Sequence, residues 1–351
     1  MPTSPPSAAR LRQLVSRFRG RRILVLGDLI ADEFVYGRVA RVSREAPVLI
    51  LEYDSTEVVP GGAGNAACNV AALGGTARLV GLAGRDAVGD RLLAAFPRRV
   101  ERARIVRASG WHTPVKTRIL AGGIHSAKQQ VVRIDRTAGQ RVEGALRARV
   151  ERAARAAARN ADAVLVSDYG SGLVAPSFVA ALARTLKSGG RRVPVLVDSR
   201  YALTRFSRLT ACTPNESEVE QVLGVTIDDQ PRVLERAGRQ LLTDTRMEAV
   251  LITRGSRGMA LFQPDVPTVH IPIHGSDQIA DVTGAGDTVM ATMTLALAAG
   301  ATFEEAARLA NYAGGIVVMK RGTATVGADE LKAAITGTDA RATDGTDGTD
   351  T

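Results

Sequence analysis

The run Ile23-Leu24-Val25-Leu26 is apolar at every position and stops at Gly27-Asp28. A strand with one face in water alternates polar and apolar residues. A run with no polar residue must be covered on both faces, as inside a parallel sheet. Similar, largely apolar strands recur at Ala77–Ala83, Ala163–Ser167, Pro194–Val197, Thr210–Thr213 and Ala249–Thr253. Between most of them lie helical or alanine-rich stretches: Asn65–Leu73, Gly89–Ala95, Gly144–Ala158, Ser177–Leu186 and Pro231–Leu242. Strands alternating with helices predict an α/β fold with a mostly parallel central sheet. Such sheets bind ligands beyond the carboxyl ends of their strands, and Asp28, Asp168, Asp198 and Asn215 all stand just past such ends.

Two segments, about residues 33–58 and 112–135, carry β-type alternation with no helix between the strands, as in Val115, Thr117, Ile119 and then Gln130, Val132, Ile134. They predict antiparallel strands inserted into the α/β body, a small sheet covering one edge as a lid. Leu11, Leu14, Val15 and Phe18 share one side of a short helix beginning at Ala8. One domain is expected over residues 8–336, between a proline-bearing lead (1–7) and a low-complexity tail (337–351) of Gly-Thr-Asp triplets that should be disordered.

The 46 Lys+Arg against 36 Asp+Glu leave +10, and all but five of those cations are arginine dispersed along the chain. With 4% aromatics and no RNA-binding signature, that surplus makes a poor nucleic-acid binder. Two distant cysteines exclude a disulfide scaffold, and four histidines without HExxH spacing argue against a zinc hydrolase. The first twenty residues lack an apolar core and no run is long enough for a membrane span, so a cytoplasmic protein is expected.

The densest chemical signal is Asp281-Val282-Thr283-Gly284-Ala285-Gly286-Asp287, which leads into an apolar helix over Thr288–Ala299. Gly284, Ala285 and Gly286 allow a sharp turn, so that N–H groups converge at a helix start and attract an anion. Asp287 holds a carboxylate beside that anion. A base for a hydroxyl proton next to an oxyanion cradle is what phosphoryl transfer to an alcohol requires. The plain alternative is a Gly-rich loop with an acidic residue near a helix N-terminus. No GxxxxGK[ST] is present, so this is no P-loop NTPase.

Asn215 and Glu218, in Thr213-Pro214-Asn215-Glu216-Ser217-Glu218, share a face at the start of the helix after a strand. They suit Mg²⁺ held largely through water beside a phosphate chain. A capping box fits the same two residues. In Pro60-Gly61-Gly62-Ala63-Gly64-Asn65, Gly61 and Gly62 permit close backbone approach and Asn65 can bond sugar hydroxyls; a tight turn with an Asn cap is the alternative. Asp32, four residues after Asp28, can take vicinal hydroxyls. Thr253-Arg254-Gly255-Ser256-Arg257-Gly258 reads as a nucleotide-edge loop or a hairpin turn.

In this order, from about Arg21 to Glu330, these features resemble the ribokinase-like sugar kinases of the PfkB type. Gly61, Gly62 and Asn65 match the first signature, Asp281–Asp287 the second, and Asn215 with Glu218 the NxxE magnesium motif. Thr253, Gly255 and Gly258 match the nucleotide loop, and Asn311 falls where the adenine-side helix lies. The resemblance implies a three-layer α/β/α fold with a small β lid, through which a homodimer forms. It implies an ATP- and Mg²⁺-dependent kinase with Asp287 as base and Gly284, Ala285 and Gly286 as the anion hole. Asp32, Gly61, Gly62, Asn65 and Asp168 would hold the sugar. As in some relatives, Asp281 and the loop after Gly314 could support a monovalent cation, for which spacing offers no argument.

Within the family, Leu24–Asp32, Ser43–Val48, Val115–Arg118, Arg133–Asp135 and Ser167–Gly170 look like the D-glycero-D-manno-heptose 7-phosphate kinases. Those enzymes phosphorylate the anomeric hydroxyl on the way to ADP-heptose. Lys116, Arg118 and Arg133 would then stand over the sugar and pair its phosphate; a solvated strand face is the alternative. Two departures bear on the sugar's identity. Asp198-Ser199-Arg200 stands where Asp-Pro-Lys is usual, and Arg does not match Lys in geometry. Gly122–Ser126 lengthens the lid hairpin. Only a short tail follows Glu330, so a separate nucleotidyltransferase is expected for the later step. The competing readings are a kinase of ribose, fructose or a hexose phosphate, and an inactive sugar-binding regulator, against which Asp287 argues.

Overall fold

The computed structural model describes residues 5–122, 128–137, 142–275 and 281–343, with side chains through residue 337. The strands of the first half are β1 (Arg22–Gly27), β2 (Leu29–Val42), β3 (Leu49–Gly62), β4 (Thr76–Val80), β5 (Leu82–Gly84), β6 (Val100–Glu101), β7 (Val106–Ala108), β8 (Val115–Gly122) and β9 (Gln129–Arg136). They continue with β10 (Ala163–Asp168), β11 (Val195–Ser199), β12 (Ala211–Cys212), β13 (Ala249–Thr253), β14 (Met259–Phe262) and β15 (Val269–Ile271).

Nine of them form one sheet in the order β15-β14-β13-β12-β11-β10-β1-β4-β6, parallel apart from the β13–β14 and β14–β15 pairings at one edge. The unbroken apolar runs have a direct cause. In β1, Ile23 and Val25 enter one core while Leu24 and Leu26 enter the other; β10 and β13 divide their residues the same way. Burial on both faces, at roughly 25 cal/mol per Å² of apolar surface, drives assembly of the layers. The helix Ala285–Ala298 is buried from Asp287 to Ala296, which explains its lack of a polar face.

The single strand expected over Ala77–Ala83 is two strands. Gly81 separates β4, in the main sheet, from β5, which pairs with β7. A Cβ at residue 81 would lie 2.7 Å from Gly27 O, so glycine permits the close approach there.

The lid is a four-stranded sheet in the order β3-β2-β8-β9. Its two hairpins are antiparallel as expected, but β2 and β8 run parallel where they meet. The first ribbon also reaches further than residues 33–58. It starts at Leu29 and ends at Gly62, so Asp32, Gly61 and Gly62 belong to the root of the lid sheet. Of the lengthened hairpin, residues 123–126 lie outside the described residues.

The helix Ala328–Thr343 corrects the tail expected from residue 337, whose first residues are helical. Residues 344–351 lie outside the described residues, as do residues 1–4 of the lead. Among the described residues no helix is long and apolar enough to cross a membrane.

Candidate active site

Asp28 follows β1, Asp168 ends β10, Asp198 lies near the end of β11, Asn215 follows β12 and Thr253 ends β13. Because β13-β12-β11-β10-β1 are successive neighbours, their carboxyl ends set these residues in a row. A cleft of about 390 Å³ opens there. Asp168, Asp198, Asn215, Glu218 and Thr253 line one side; Asp32, Gly62, Lys116, Arg118 and Arg133 of the lid line another. The loop from Val282 to Asp287 completes it.

Asp287 is 4% exposed and held from both sides. Asn65 Nδ2 donates to its Oδ2 (2.9 Å) and the Tyr169 hydroxyl donates to its Oδ1 (3.2 Å). Burial is the main cause that pushes its pKa up to about 7; Asp32 adds to the rise, while Asn65, Tyr169 and Lys116 oppose it. A carboxyl that ionises near neutral pH inside a cleft is poised to take a proton.

The glycines around Asp287 differ in what they permit. Gly284 is the N-cap of its helix at φ 76°, and a Cβ there would collide with Asn65 Nδ2. Gly286 is exposed, lines the cleft, and a Cβ there would meet nothing within 4 Å. The Ala285 N–H donates to Val282 O at 3.2 Å, so the turn itself occupies the amide expected at the centre of the anion hole.

Other predicted residues take more specific roles. Arg118 Nη1 lies 2.6 Å from Asp32 Oδ1 in an ion pair whose side chains are 9% and 7% exposed. The Thr323 hydroxyl donates to Asp32 Oδ2 at 3.2 Å, and Gly61 leaves room for that same oxygen. Arg118 is therefore bound to Asp32, not held free for a substrate phosphate. Arg133 pairs with Asp135 through Nε and Nη2, 2.9 and 3.0 Å. Lys116 lies 4.9 Å over the Tyr169 ring, and burial pulls its pKa down. Lys116 and Arg200 stand outside the described ion pairs of this cleft.

Asp168 accepts from Ser199 Oγ (2.7 Å) and Gly170 N (3.1 Å). Asn65, expected on the sugar, instead turns its amide to Asp287 and Gly284 O. Asn215 and Glu218 do form the capping box: Asn215 Oδ1 accepts from Glu218 N and Glu218 Oε2 accepts from Asn215 N. Both still line the cleft, where burial raises the Glu218 pKa.

Of the nucleotide-loop residues only Thr253 lines this cleft. Gly255 and Gly258 shape the turn at φ 55° and 77°, and Asn311 Nδ2 donates to Pro272 O at 2.8 Å. Asp281 ties two loops together by accepting from Thr283 N (2.9 Å) and Gly322 N (3.0 Å).

Tyr169 and Thr323 were not assigned from sequence. Tyr169 directly follows Asp168 at a strand end, a position that could have marked it. Thr323 meets Asp32 from 291 residues away, and no local pattern signals that contact. A second chamber of about 540 Å³ adjoins the cleft, and both are lined by Ile30, Lys116, Arg133, Tyr169 and Arg200.

A strand-end cleft, a β lid, and a buried carboxylate beside an open helix N-terminus suit phosphoryl transfer to a hydroxylated small molecule, the chemistry of a kinase. The chain belongs to the pfkB family of carbohydrate kinases, whose sequence profile matches residues 21–330. It is 39% identical over 327 residues to the bifunctional protein HldE of Trichlorobacter lovleyi, covering 93% of this chain and 65% of that protein. It is 41% identical over 327 residues to the bifunctional protein HldE of Methylococcus capsulatus, covering 90% and 64%. The chain thus spans just under two thirds of the length of these curated relatives.

Its fold is similar to that of Arabidopsis thaliana ribokinase complexed with ribose and ATP (TM-score 0.68, 20% identity, 90% of this chain and 99% of that one). It is equally similar to Escherichia coli phosphofructokinase-2 in complex with potassium (TM-score 0.70, 18% identity, 92% and 99%). Both are ribokinase-like folds, as the sequence led us to expect.

Proposed function

We propose that the chain transfers the γ-phosphoryl group of ATP to the anomeric hydroxyl of D-glycero-D-manno-heptose 7-phosphate. The observation that carries the choice of a phosphorylated sugar is the placement of Lys116 and Arg200. They lie outside the ion pairs, where the cleft holding Asp287 meets the second chamber. A substrate with its reacting hydroxyl at Asp287 and an anionic far end would extend toward both cations. The identity to the HldE proteins and the heptose-kinase motifs support the same sugar.

The donor set fits Mg·ATP. Glu218 and Asn215 offer a carboxylate and an amide oxygen at the cleft, and Gly286 leaves the helix start open. When bound, Mg·ATP supplies the phosphoryl group and neutralises part of its charge. Asp287, kept in place by Asn65 and Tyr169, orients the sugar hydroxyl and takes its proton as the new O–P bond forms. In a loose transition state that proton moves late, so positioning is the larger part of the base's work. The helix N-terminus holds the negative charge that gathers on the transferring group, while the lid keeps water from it.

A coupled ADP-release screen over phosphorylated and free sugars, with phosphorus NMR locating the new phosphate, tests the reading. Turnover of heptose 7-phosphate to the 1,7-bisphosphate is the expected result, and turnover confined to free sugars overturns it.

Three further parts belong to this proposal. The enzyme works in the cytoplasm, ahead of a nucleotidyltransferase. A monovalent cation supports the anion loop near Asp281, which a potassium-for-sodium exchange in the same assay would reveal as lost activity. The lid also joins two copies of the chain, since Val39, Val42, Leu49, Tyr53, Val132 and Ile134 lie exposed on it. Sedimentation of a V132S/I134S variant should then show monomer where the wild type shows dimer.

A further inference from the structure

We infer that Asn69 and Thr288, which line neither chamber, are positioning residues that fix the catalytic carboxylate of Asp287 through the side chain of Asn65. Asn69 lies in the helix Ala63–Ala72, one turn beyond Asn65; Thr288 directly follows Asp287. Both are 0% exposed.

The orientation of every amide follows from atoms whose chemistry is unambiguous. Asn69 Nδ2 lies 3.1 Å from the backbone O of Asn65 and 3.1 Å from Asn65 Oδ1. A carbonyl can only accept, so Asn69 must present its NH₂ group to it. The adjacent atom of Asn65 must then be its oxygen. That turns the Asn65 NH₂ group to Asp287 Oδ2 at 2.9 Å and Gly284 O at 3.3 Å, both acceptors. Starting instead from the Asp287 carboxylate gives the same assignment, so neither amide can flip without setting oxygen against oxygen. Asn69 Oδ1 in turn accepts the Thr288 hydroxyl at 3.1 Å, which also lies 3.2 Å from Gly284 O. The network leaves the helix of Asp287 at Thr288 and returns to Asp287 through two asparagines.

This arrangement has a chemical consequence. Donation from Asn65 favours the ionised carboxylate against its burial. Without Asn69 the Asn65 amide loses the partner that anchors its oxygen and is held by Gly284 O and Asp287 alone, so its donation to the carboxylate is less firmly fixed and weakens. The remaining groups that bear on this carboxylate are the Tyr169 hydroxyl, Lys116, Asp32 and Asp198. None of them touches Asn69 or Thr288 through a described hydrogen bond.

The inference rests on Asp287 being the base, and its first readout needs no substrate. In the full chain, ¹³C-aspartate NMR follows the Asp287 carboxyl, assigned by its loss in Asp287→Asn. Asn69→Leu, close in volume, should raise the Asp287 titration from about 7 by about one unit, the scale of one charge-assisted hydrogen bond. Thr288→Val should move it the same way by less, and Thr288→Ser should restore it. In an Asn65→Ala background Asn69→Leu should leave it unmoved, which is the signature of action through Asn65. With ATP and heptose 7-phosphate, kcat at pH 7 should fall about fivefold in Asn69→Leu, with KM within about twofold.

An unmoved Asp287 titration in Asn69→Leu and Thr288→Val overturns the inference, as does an equal shift in the Asn65→Ala background. If Asn69→Leu does not fold, the Thr288→Val and Thr288→Ser pair decides alone. A shifted titration without turnover of heptose 7-phosphate overturns the sugar assignment and leaves this inference standing.

Discussion

A methyl group added at Gly284 or at Gly286 should separate the folding role of the anion loop from its chemical role. At Gly284 the methyl meets two obstacles. The residue sits at φ 76°, where an L side chain costs about 1–2 kcal/mol. The new Cβ would also collide with Asn65 Nδ2 and stand 3.3 Å from Thr323 Cγ2, so Asn65 must yield. Displacing Asn65 breaks its bond to Asp287, worth about 1.5–3 kcal/mol as a charge-assisted contact. The stiffer unfolded chain returns about 0.4–1 kcal/mol, which leaves Gly284→Ala about 2–4 kcal/mol less stable.

At Gly286 the same methyl meets nothing within 4 Å and its backbone is helical, so stability should stay level or rise by roughly 0.5–1 kcal/mol. The methyl nevertheless stands at the open helix start, where the proposed reaction places the transferring phosphoryl group. Urea unfolding at pH 7.5 and steady-state kinetics on both variants give the comparison. Gly284→Ala should lose stability and turnover together, with kcat down by about 10²-fold or more. Gly286→Ala should lose turnover alone, by about tenfold or more. Wild-type turnover in Gly286→Ala would refute the placement of the phosphoryl group. Wild-type stability in Gly284→Ala would refute the steric account of Asn65.

Other expectations concern single charges. Asp287→Asn should lower kcat by about 10³-fold or more while calorimetry shows ATP binding retained. Because the folded pKa of Asp287 lies above its unfolded value, ionisation opposes folding as pH rises from about 4 through about 7. Asp287→Asn should therefore be the more stable protein in thermal melts at pH 8, with the gap narrowing through pH 5 and closing near pH 4. In wild type the same group should give kcat an acid limb near pH 7, rising toward alkaline pH. Lys116→Gln and Arg200→Gln should each raise KM for the phosphorylated sugar about tenfold and leave KM for ATP unchanged. Arg118→Met should behave differently and lose about 3–5 kcal/mol in urea unfolding, because Asp32 is left buried without its partner.

The sheet was legible, and Asp287 could be singled out, for the same reason: each belongs to a local pattern with a strong physical cause. Unbroken apolar runs must be covered on two faces, and Asp287 sits where Gly284, at φ 76°, lets a helix start abruptly. The division of Ala77–Ala83 was not legible, because Gly81 yields to a strand that its own neighbours in sequence do not reveal. The lid's cations show the deeper limit. Lys116 and Arg118 alternate identically on β8, yet one reaches the cleft outside the described ion pairs and the other closes on Asp32. That difference depends on the register that sets Phe34 beside Arg118 and Asp32 beside Lys116, which composition cannot supply. Asn65 is ambiguous in the same way, since an amide suited to sugar hydroxyls suits a carboxylate equally well.

The ribbon of β2 and β3 carries two register shifts, at Tyr36/Gly37 and at Val39/Arg41. They divide it like a jointed lever. The root, from Leu29 paired with Gly62 to Tyr36 paired with Ser55, is in strict register and carries Asp32, Gly61 and Gly62. Past the joint the tip carries Val39, Val42 and Leu49 out into solvent. A bulge absorbs an added residue by changing twist, so length and composition can drift in the tip without reversing a single side chain in the root. What the tip meets and what the root presents to the cleft are therefore free to evolve as separate modules along one pair of strands.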